Sequence, residues 1–278
     1  MSTLKQVEIF WDNRPCNVRH SKKIFGSLEY FEEIEHRRYF VEPHIKEFAE
    51  FEKWQGKEVL EIGCGIGTDT INFARAGAII TVIDLSSKSI EVVKQRARVY
   101  GLEESIKFIC GSAESLGSLV GEKKYDLIYS FGVIHHTPNP DSVFSQIKNH
   151  LNTDGEFRVM VYNKISWRVL EILIESGKLL TGIINLDKTI ATRSEAQTGC
   201  PVTFSYSLSE FKKILERHGL KTVKGEIKHI FKWNVEKYIS GVYDRKIYWK
   251  VVPELVFNYL QKKIGWHLCI TAKKVESS

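Results

Sequence analysis

Short apolar runs alternate with helical segments through the middle of the chain. The runs cover Lys57–Ile62, Ile79–Ile83, Ser105–Cys110, Tyr125–Ser130 and Gly155–Tyr162. They are nearly continuously apolar, which is typical of strands that are buried on both faces of a parallel sheet. Because right-handed crossovers place the intervening helices on both faces, the pattern predicts a doubly wound α/β fold.

The segments between these runs have the start and stop signals of helices. A helix over Thr68–Ala76 follows a glycine-rich turn and is closed by Gly77. A second helix over about Ser87–Tyr100 is terminated by Gly101, since glycine is the usual residue just past a helix. A third helix is expected over Asp141–Leu151.

The end of the chain predicts one more helix and two more strands. Ser207 and Glu210 have the spacing of a capping box, so a helix is expected from there to His218. Val223–Ile230 and His267–Ala272 are expected to be the final strands. Together with the five central strands they predict a mostly parallel, seven-stranded sheet.

Three segments are not needed to build this sheet. Residues 1–55 are expected to form an N-terminal helical lid, and residues 163–206 and 231–265 two helical insertions that form a substrate cap. Ligands of open α/β sheets bind at the carboxyl ends of the strands, so such additions are needed to cover them. Residues 56–162 are then the core, and residues 207–278 complete the sheet around the second insertion.

The composition is that of an ordinary globular enzyme. Of the 278 residues, 43% are hydrophobic and 27% are charged, and the net charge of +6 is spread along the chain. This spread favours acidic small molecules slightly and says little about nucleic acid, which is not the expected partner. The five cysteines form no C-x-x-C pair, so no metal is expected. Without an apolar signal core or transmembrane segment, the protein is expected to be cytoplasmic, as a monomer or homodimer.

A glycine-rich segment joins the first strand to the first helix of the sheet. Gly63, Gly65 and Gly67 allow a sharp turn and a close approach of a ligand to the backbone. Their G-x-G-x-G spacing differs from the G-x-G-x-x-G of dinucleotide sites. Asp84 ends the second strand, where an acidic side chain can accept hydrogen bonds from ribose hydroxyls. The pattern therefore predicts a cofactor that contains a nucleoside.

Four motifs, in this order, resemble those of class I S-adenosylmethionine (SAM)-dependent methyltransferases. They are VLEIGCGIGTDT, TVIDLS, CGSAES and YDLIYSFGVIHHTPNP, within residues 55–162. The resemblance implies SAM as the cofactor, S-adenosylhomocysteine (SAH) as the product and a small-molecule acceptor. The acceptor would be a secondary metabolite, sugar, amino acid or quinone-like compound.

The resemblance also assigns cofactor-binding residues. Asp84 would hold the ribose, Leu85 would lie beside the adenine, and Glu61 would face the amino group of SAM. Ser112 stands where the family usually carries an aspartate for the adenine amine. The cofactor-binding residues implied by the resemblance are Glu61, Gly63, Cys64, Gly65, Gly67, Asp69, Asp84, Leu85, Ser112, Ala113, Glu114, Ser130, Phe131 and Gly132.

His135, His136 and Tyr162 are the candidate catalytic residues. The two histidines follow the fourth strand, at the edge of the sheet where the methyl group should point. An oxygen or nitrogen acceptor must lose a proton during methyl transfer, and histidine can accept it near neutral pH. Alternatively, one or both histidines only anchor this loop or pack beside the substrate.

The acceptor pocket is expected to be built from residues outside the motifs. Tyr30 and Arg37 lie on one face of a predicted helix in the lid. A polar run from Ser194 to Thr203 falls in the first insertion. The candidate substrate-binding residues are Tyr30, Arg37, Arg38, Asn163, Glu195, Gln197 and Thr203.

Two further functions are compatible with the sequence. One is methylation of RNA or protein, although SFGVIHHTPNP replaces the [DN]-P-P-[YF] motif of many nitrogen methyltransferases. The other is a SAM-binding module without activity. The aromatic residues of 231–265 are expected first as helix core and second as an acceptor lid. His229, Trp266 and His267 are expected to be structural.

Overall fold

Strands and helices alternate around one mixed sheet. The computed structural model describes residues 1–15, 18, 21–178, 185–194 and 199–275. The strands are β1 (Glu58–Ile62), β2 (Ile79–Asp84), β3 (Ile106–Cys110), β4 (Tyr125–Phe131), β5 (Leu151–Asn163), β6 (Ser205–Tyr206), β7 (Leu220–Lys228) and β8 (His267–Lys274). The helices are α1 (Thr3–Asn13), α2 (Leu28–Val41), α3 (His44–Ala49), α4 (Thr68–Arg75), α5 (Ser87–Val99), α6 (Leu116–Val120), α7 (Pro140–His150), α8 (Trp167–Glu175), α9 (Leu186–Ala191), α10 (Leu208–Arg217), α11 (Val235–Ile239), α12 (Ile247–Lys250) and α13 (Glu254–Ile264).

The sheet has the order β3-β2-β1-β4-β5-β8-β7, with β8 antiparallel to its two neighbours. The mostly parallel, doubly wound α/β fold predicted from the sequence is confirmed. The predicted strand count is corrected from seven to eight, because the two residues of β6 pair with the end of β5. The strand order reverses between β1 and β4, and a crevice for a ligand is expected at that point.

Each face of the sheet packs against its own hydrophobic cluster. Val59 and Leu60 are adjacent in β1 and fully buried, and each belongs to a different cluster. The first cluster includes Phe73 of α4, and the second includes Phe144 of α7. Burial on both faces explains why the central strands have nearly continuous apolar runs.

Helices at the start of the chain pack over the carboxyl edge of the sheet. The Ser27 hydroxyl accepts the Tyr30 N–H and starts α2, which buries Phe31 and Ile34 on one face. This face packs against Ile66, in the loop that leads to α4.

The second predicted insertion contains α11, α12 and α13. Trp249 and Phe257 pack with Ile230 in a cluster of their own, which agrees with the expected helix core. Within the described part of the chain, no helix has both the length and the apolar character needed to cross a membrane.

Candidate active site

The loop between β1 and α4 holds three glycines in the left-handed region. The φ angles are +79° at Gly63, +54° at Gly65 and +74° at Gly67, and other residues adopt such angles only at an energetic cost. A Cβ at Gly63 would lie 2.3 Å from a Cγ of Val133, and one at Gly67 would lie 2.0 Å from a Cγ of Val93. The loop therefore requires glycine both for its backbone angles and for its packing.

Asp84, at the end of β2, fixes the position of this loop. One carboxylate oxygen accepts the N–H groups of Cys64 at 3.0 Å and Gly65 at 3.1 Å. The other oxygen accepts the Ser86 N–H at 2.8 Å. Burial raises the pKa of the Asp84 carboxyl, although the N–H donors of Ser86 and Gly65 oppose this rise. Asp84, which the sequence predicts to hold the ribose, thus stabilises the glycine loop through these hydrogen bonds.

A pocket opens in front of the loop, at the carboxyl ends of β1, β2 and β4. Most residues of the predicted cofactor set line it, together with Arg38 from α2 and His136 from the turn after β4. The lining residues from the predicted cofactor set are Glu61, Gly63, Cys64, Gly65, Asp69, Asp84, Leu85, Ser112, Ala113, Phe131 and Gly132.

Three residues of the predicted cofactor set, Gly67, Glu114 and Ser130, do not line the pocket. Gly67 precedes α4, and the Ser130 hydroxyl donates to the Ile62 carbonyl at 3.1 Å. Glu114 accepts the Asn139 N–H at 2.8 Å. These contacts support the loops around the pocket.

Helix α1 also lines the pocket, through residues that were not among the predicted site residues. Leu4, Val7 and Trp11 face it from one side of that helix. Their i, i+3, i+7 spacing is that of an apolar helix face, and this signal could have found them. At its end α1 is held by Asp12, which accepts the Ser86 hydroxyl at 2.7 Å. The start of the chain thus closes part of the pocket.

Asp69, in the first turn of α4, is the centre of a buried polar network. Its carboxylate pairs with Arg38 at 2.9 Å and accepts the hydroxyls of Tyr39 at 2.9 Å and Tyr129 at 3.1 Å. The network joins α2 to the glycine loop. Arg38, a predicted acceptor ligand, therefore lines the pocket with its charge already paired.

Glu61, at the end of β1, is a buried acid in the pocket wall. Its carboxyl accepts the Thr70 hydroxyl at 2.5 Å. Burial, and then the nearby charge of Asp69, raise the pKa of Glu61 to about 8. At neutral pH this carboxyl is mostly protonated, so an incoming cation would favour its ionisation.

His136 combines access to the pocket with a fixed ring orientation. Its Nδ1 lies 2.9 Å from the Val202 carbonyl and 3.1 Å from the Thr203 hydroxyl. Because a carbonyl can only accept, we assign the proton to Nδ1, which leaves the lone pair on Nε2. The Trp11 ring packs against the imidazole with its centroid 5.6 Å away.

His135 is enclosed behind its neighbour and does not line the pocket. Its ring centroid lies 4.2 Å from that of His136 and 4.1 Å from that of Tyr162, which in turn stacks on Trp266 at 4.1 Å. Burial, and then His136, hold the pKa of His135 well below its ordinary value. Neither His135 ring nitrogen has a hydrogen-bond partner among the described residues. The two histidines thus differ in their access to the pocket, which only His136 lines. Tyr162 lies beside His135.

Three predicted acceptor ligands hold parts of the fold together. The Tyr30 hydroxyl donates to the Val18 carbonyl at 2.6 Å. The Arg37 guanidinium lies 4.2 Å above the Tyr238 ring. The Asn163 amide donates to the Gly265 carbonyl at 2.9 Å. None of Tyr30, Arg37 and Asn163 lines the pocket, so this geometry does not support their predicted contact with an acceptor.

The polar run of the first insertion is only partly described. Glu195 and Gln197 lie outside the described residues. Thr203 is buried and contacts His136, and its hydroxyl is also 3.0 Å from that of Ser194. Thr203 therefore contributes to the site indirectly, by helping to orient the His136 ring.

Several sequence relatives of this chain are named as O-methyltransferases. A model of the methyltransferase domain matches residues 34–224, more than half of the chain. A ubiquinone biosynthesis O-methyltransferase of Glaesserella parasuis is 30% identical over 148 residues, which are 49% of this chain and 59% of that protein. The chain thus spans little more than half the length of this curated relative.

Solved structures with the same architecture cover nearly the whole chain. Magnesium protoporphyrin IX methyltransferase from Synechocystis PCC 6803, crystallised with SAH, has a TM-score of 0.59 and 14% identity, over 96% of this chain and 98% of that chain. Geranyl diphosphate C-methyltransferase from Streptomyces coelicolor has a TM-score of 0.61 and 11% identity, over 99% of each chain. These likenesses show the class I fold. The chain belongs to the methyltransferase domain family.

Proposed function

We propose that this protein transfers the methyl group of SAM to an oxygen or nitrogen atom of a small-molecule acceptor. The observation that carries the proposal is the glycine loop braced by Asp84, which opens into a pocket with His136 at its rim. The chain's membership of the methyltransferase domain family supports methyl transfer as the reaction. The name of the O-methyltransferase relative favours oxygen as the acceptor atom.

In the proposed complex, the methionine part of SAM lies along Gly63 and Gly65. Asp84 holds the ribose, and Leu85 and Ala113 contact the adenine from the far side of the pocket. Glu61 faces the ammonium group. These placements follow the family resemblance, and all six residues line the observed pocket.

Methyl transfer is an in-line displacement in which alignment supplies most of the catalysis. The acceptor lone pair attacks the methyl carbon while the carbon–sulfur bond breaks and the sulfur keeps the bonding electrons, which yields SAH. The acceptor proton moves to Nε2 of His136, since the Val202 carbonyl holds the Nδ1 proton. Trp11 and Val7 of α1 help to exclude water from the cofactor side.

A screen for SAH formation tests the proposal. The protein is incubated with SAM and with separate pools of phenols, carboxylic acids, amines, sugars, total RNA and protein. We expect SAH release with a small-molecule pool, and much slower release with Asp84→Ala when SAM is kept near its wild-type dissociation constant. Transfer only to RNA or protein would contradict the proposed acceptor class. SAM binding without transfer to any pool would favour an inactive binding module.

Cofactor binding is expected to release a proton from Glu61. The carboxyl has a pKa of about 8 in the cofactor-free protein, and a nearby ammonium favours its charged form and lowers that pKa. At pH 7 we therefore expect SAH binding to release about one proton, and affinity to rise with pH toward 8. Calorimetry in two buffers of different ionisation enthalpy counts the protons. Glu61→Gln should abolish the release, and an unchanged proton count in this variant would contradict the assignment.

A further inference from the structure

Four titratable side chains that the proposed reaction does not use meet at the carboxyl edge of the sheet. Glu42 follows α2, and His44 begins α3. His229 follows β7 with a φ of +64°, and His267 is the first residue of β8. The Trp266 N–H donates to the His229 carbonyl at 2.7 Å. This bond holds the two strand-end histidines side by side.

The metal-binding atoms of three of these residues converge. One ligand atom each from Glu42, His229 and His267 lies within 4.8 Å of the others, and His267 Nε2 is 3.6 Å from a carboxylate oxygen of Glu42. Ligand atoms around one tetrahedral zinc ion lie roughly 3.4 Å apart, as bond lengths of about 2.1 Å require. We infer that Glu42, His229 and His267 form a binding site for a divalent transition-metal ion.

His44 is placed to orient one of these ligands. Its Nε2 lies 3.0 Å from Nδ1 of His267. When His267 carries its proton on Nδ1 and donates it to His44, its Nε2 keeps a lone pair on the side of Glu42. Metal-bound histidines in proteins usually make such a hydrogen bond through the other ring nitrogen. His44 is thus a positioning residue, and its ring is 8% exposed.

The donor set selects the class of metal. Two imidazoles and one carboxylate suit zinc and ferrous iron, and they leave coordination positions open. Magnesium and calcium prefer sites made of oxygen ligands alone. His229 and His267 are 9% and 4% exposed, so the site is shielded, and Glu42 supplies a negative charge against the ion.

A second cavity adjoins one side of this site. His44 and His229 line it, together with four lysine and arginine side chains and only two glutamates. The excess of positive charge favours an anion with an oxygen donor as the ligand that completes the coordination. The Phe131 ring lies 5.6 Å from His267 and also lines the cofactor pocket. One aromatic ring therefore separates the metal site from the proposed SAM site.

Metal titration of the full-length protein without a polyhistidine tag tests this inference. Protein stripped with a chelator is titrated with Co²⁺, followed by visible absorption, and with Zn²⁺ in competition. We expect one equivalent to bind. His44→Ala should weaken Zn²⁺ binding roughly 10–100-fold, the usual loss for a partner of a metal ligand, and His229→Ala should weaken it further. Glu42→Gln, a conservative change at a partly exposed position, should also weaken it.

His36→Ala is the matched control, because His36 is an exposed histidine on α2. It should bind metal as the wild type does. Urea denaturation of each metal-free variant reports whether the fold is intact without relying on metal or cofactor binding. Absence of stoichiometric Co²⁺ and Zn²⁺ binding by the wild type would overturn the inference. So would equal metal binding by His229→Ala, Glu42→Gln and His36→Ala.

Discussion

Replacing His136 with alanine is expected to lower kcat about 10²–10⁴-fold, the range for loss of a general base. The ring lines the pocket, and the Val202 carbonyl fixes its Nδ1 proton, so Nε2 is the atom that can accept a proton from the acceptor. The affinity for SAM should change far less, because in the proposed complex the cofactor is held mainly by the glycine loop and Asp84. The measurement is the initial rate of SAH formation with the acceptor found by the screen.

Chemical rescue separates a base from a packing role for His136. Added imidazole should restore part of the activity of His136→Ala, because imidazole in the space left by the side chain can again accept the acceptor proton. His36→Ala controls for removal of an exposed histidine. An unchanged kcat in His136→Ala would show that the reaction needs no base at this position.

Replacing Gly63 with alanine is expected to destabilise the protein by about 2–5 kcal/mol. The left-handed backbone costs a residue with a Cβ roughly 1–2 kcal/mol. Overlap of the new Cβ with Val133, at 2.3 Å, adds about 1–3 kcal/mol of overpacking. Urea denaturation of the variant and the wild type measures the difference in the free energy of unfolding.

The backbone cost and the packing cost at Gly63 can be distinguished by further variants. Val133 is only partly buried, so Val133→Ala alone should cost little. In the double variant the overlap with both Val133 Cγ atoms disappears but that with the Cβ, at 2.7 Å, remains, so the destabilisation should fall without reaching the backbone cost alone. Gly101→Ala is a matched control, because Gly101 has a φ of +66° and no atom within 4 Å of its Cβ position. Equal destabilisation by Gly63→Ala and Gly101→Ala would contradict the packing argument.

The sequence predicts those features that depend on neighbouring residues in the chain. Gly63, Gly65 and Asp84 follow the ends of β1 and β2, and parallel strands bring their carboxyl ends to one edge. The positions of these residues at the strand ends were therefore enough to predict where the pocket lies. The capping box at Ser207 likewise predicted the start of α10, and the structure has both of its hydrogen bonds.

Features that depend on distant contacts could not be predicted from the sequence. Arg38 pairs with Asp69 only because α2 packs on the glycine loop. The difference between His135 and His136 arises from a single short turn, in which both residues are buried but only His136 lines the pocket. The proximity of His267 to Glu42 could not be predicted either, because Glu42 approaches His267 only through the fold. β6 is too short to show a pattern.

Calorimetric titration of the purified protein with SAM and SAH tests the central claim most directly. We expect one site with micromolar affinity in the wild type. Asp84→Ala should weaken binding about 100-fold, since two charged hydrogen bonds to the ribose are worth roughly 3 kcal/mol. Asp154→Ala, at an exposed aspartate, should bind as the wild type does. No binding by folded wild-type protein, or full binding by Asp84→Ala, would contradict the assignment of this pocket to SAM.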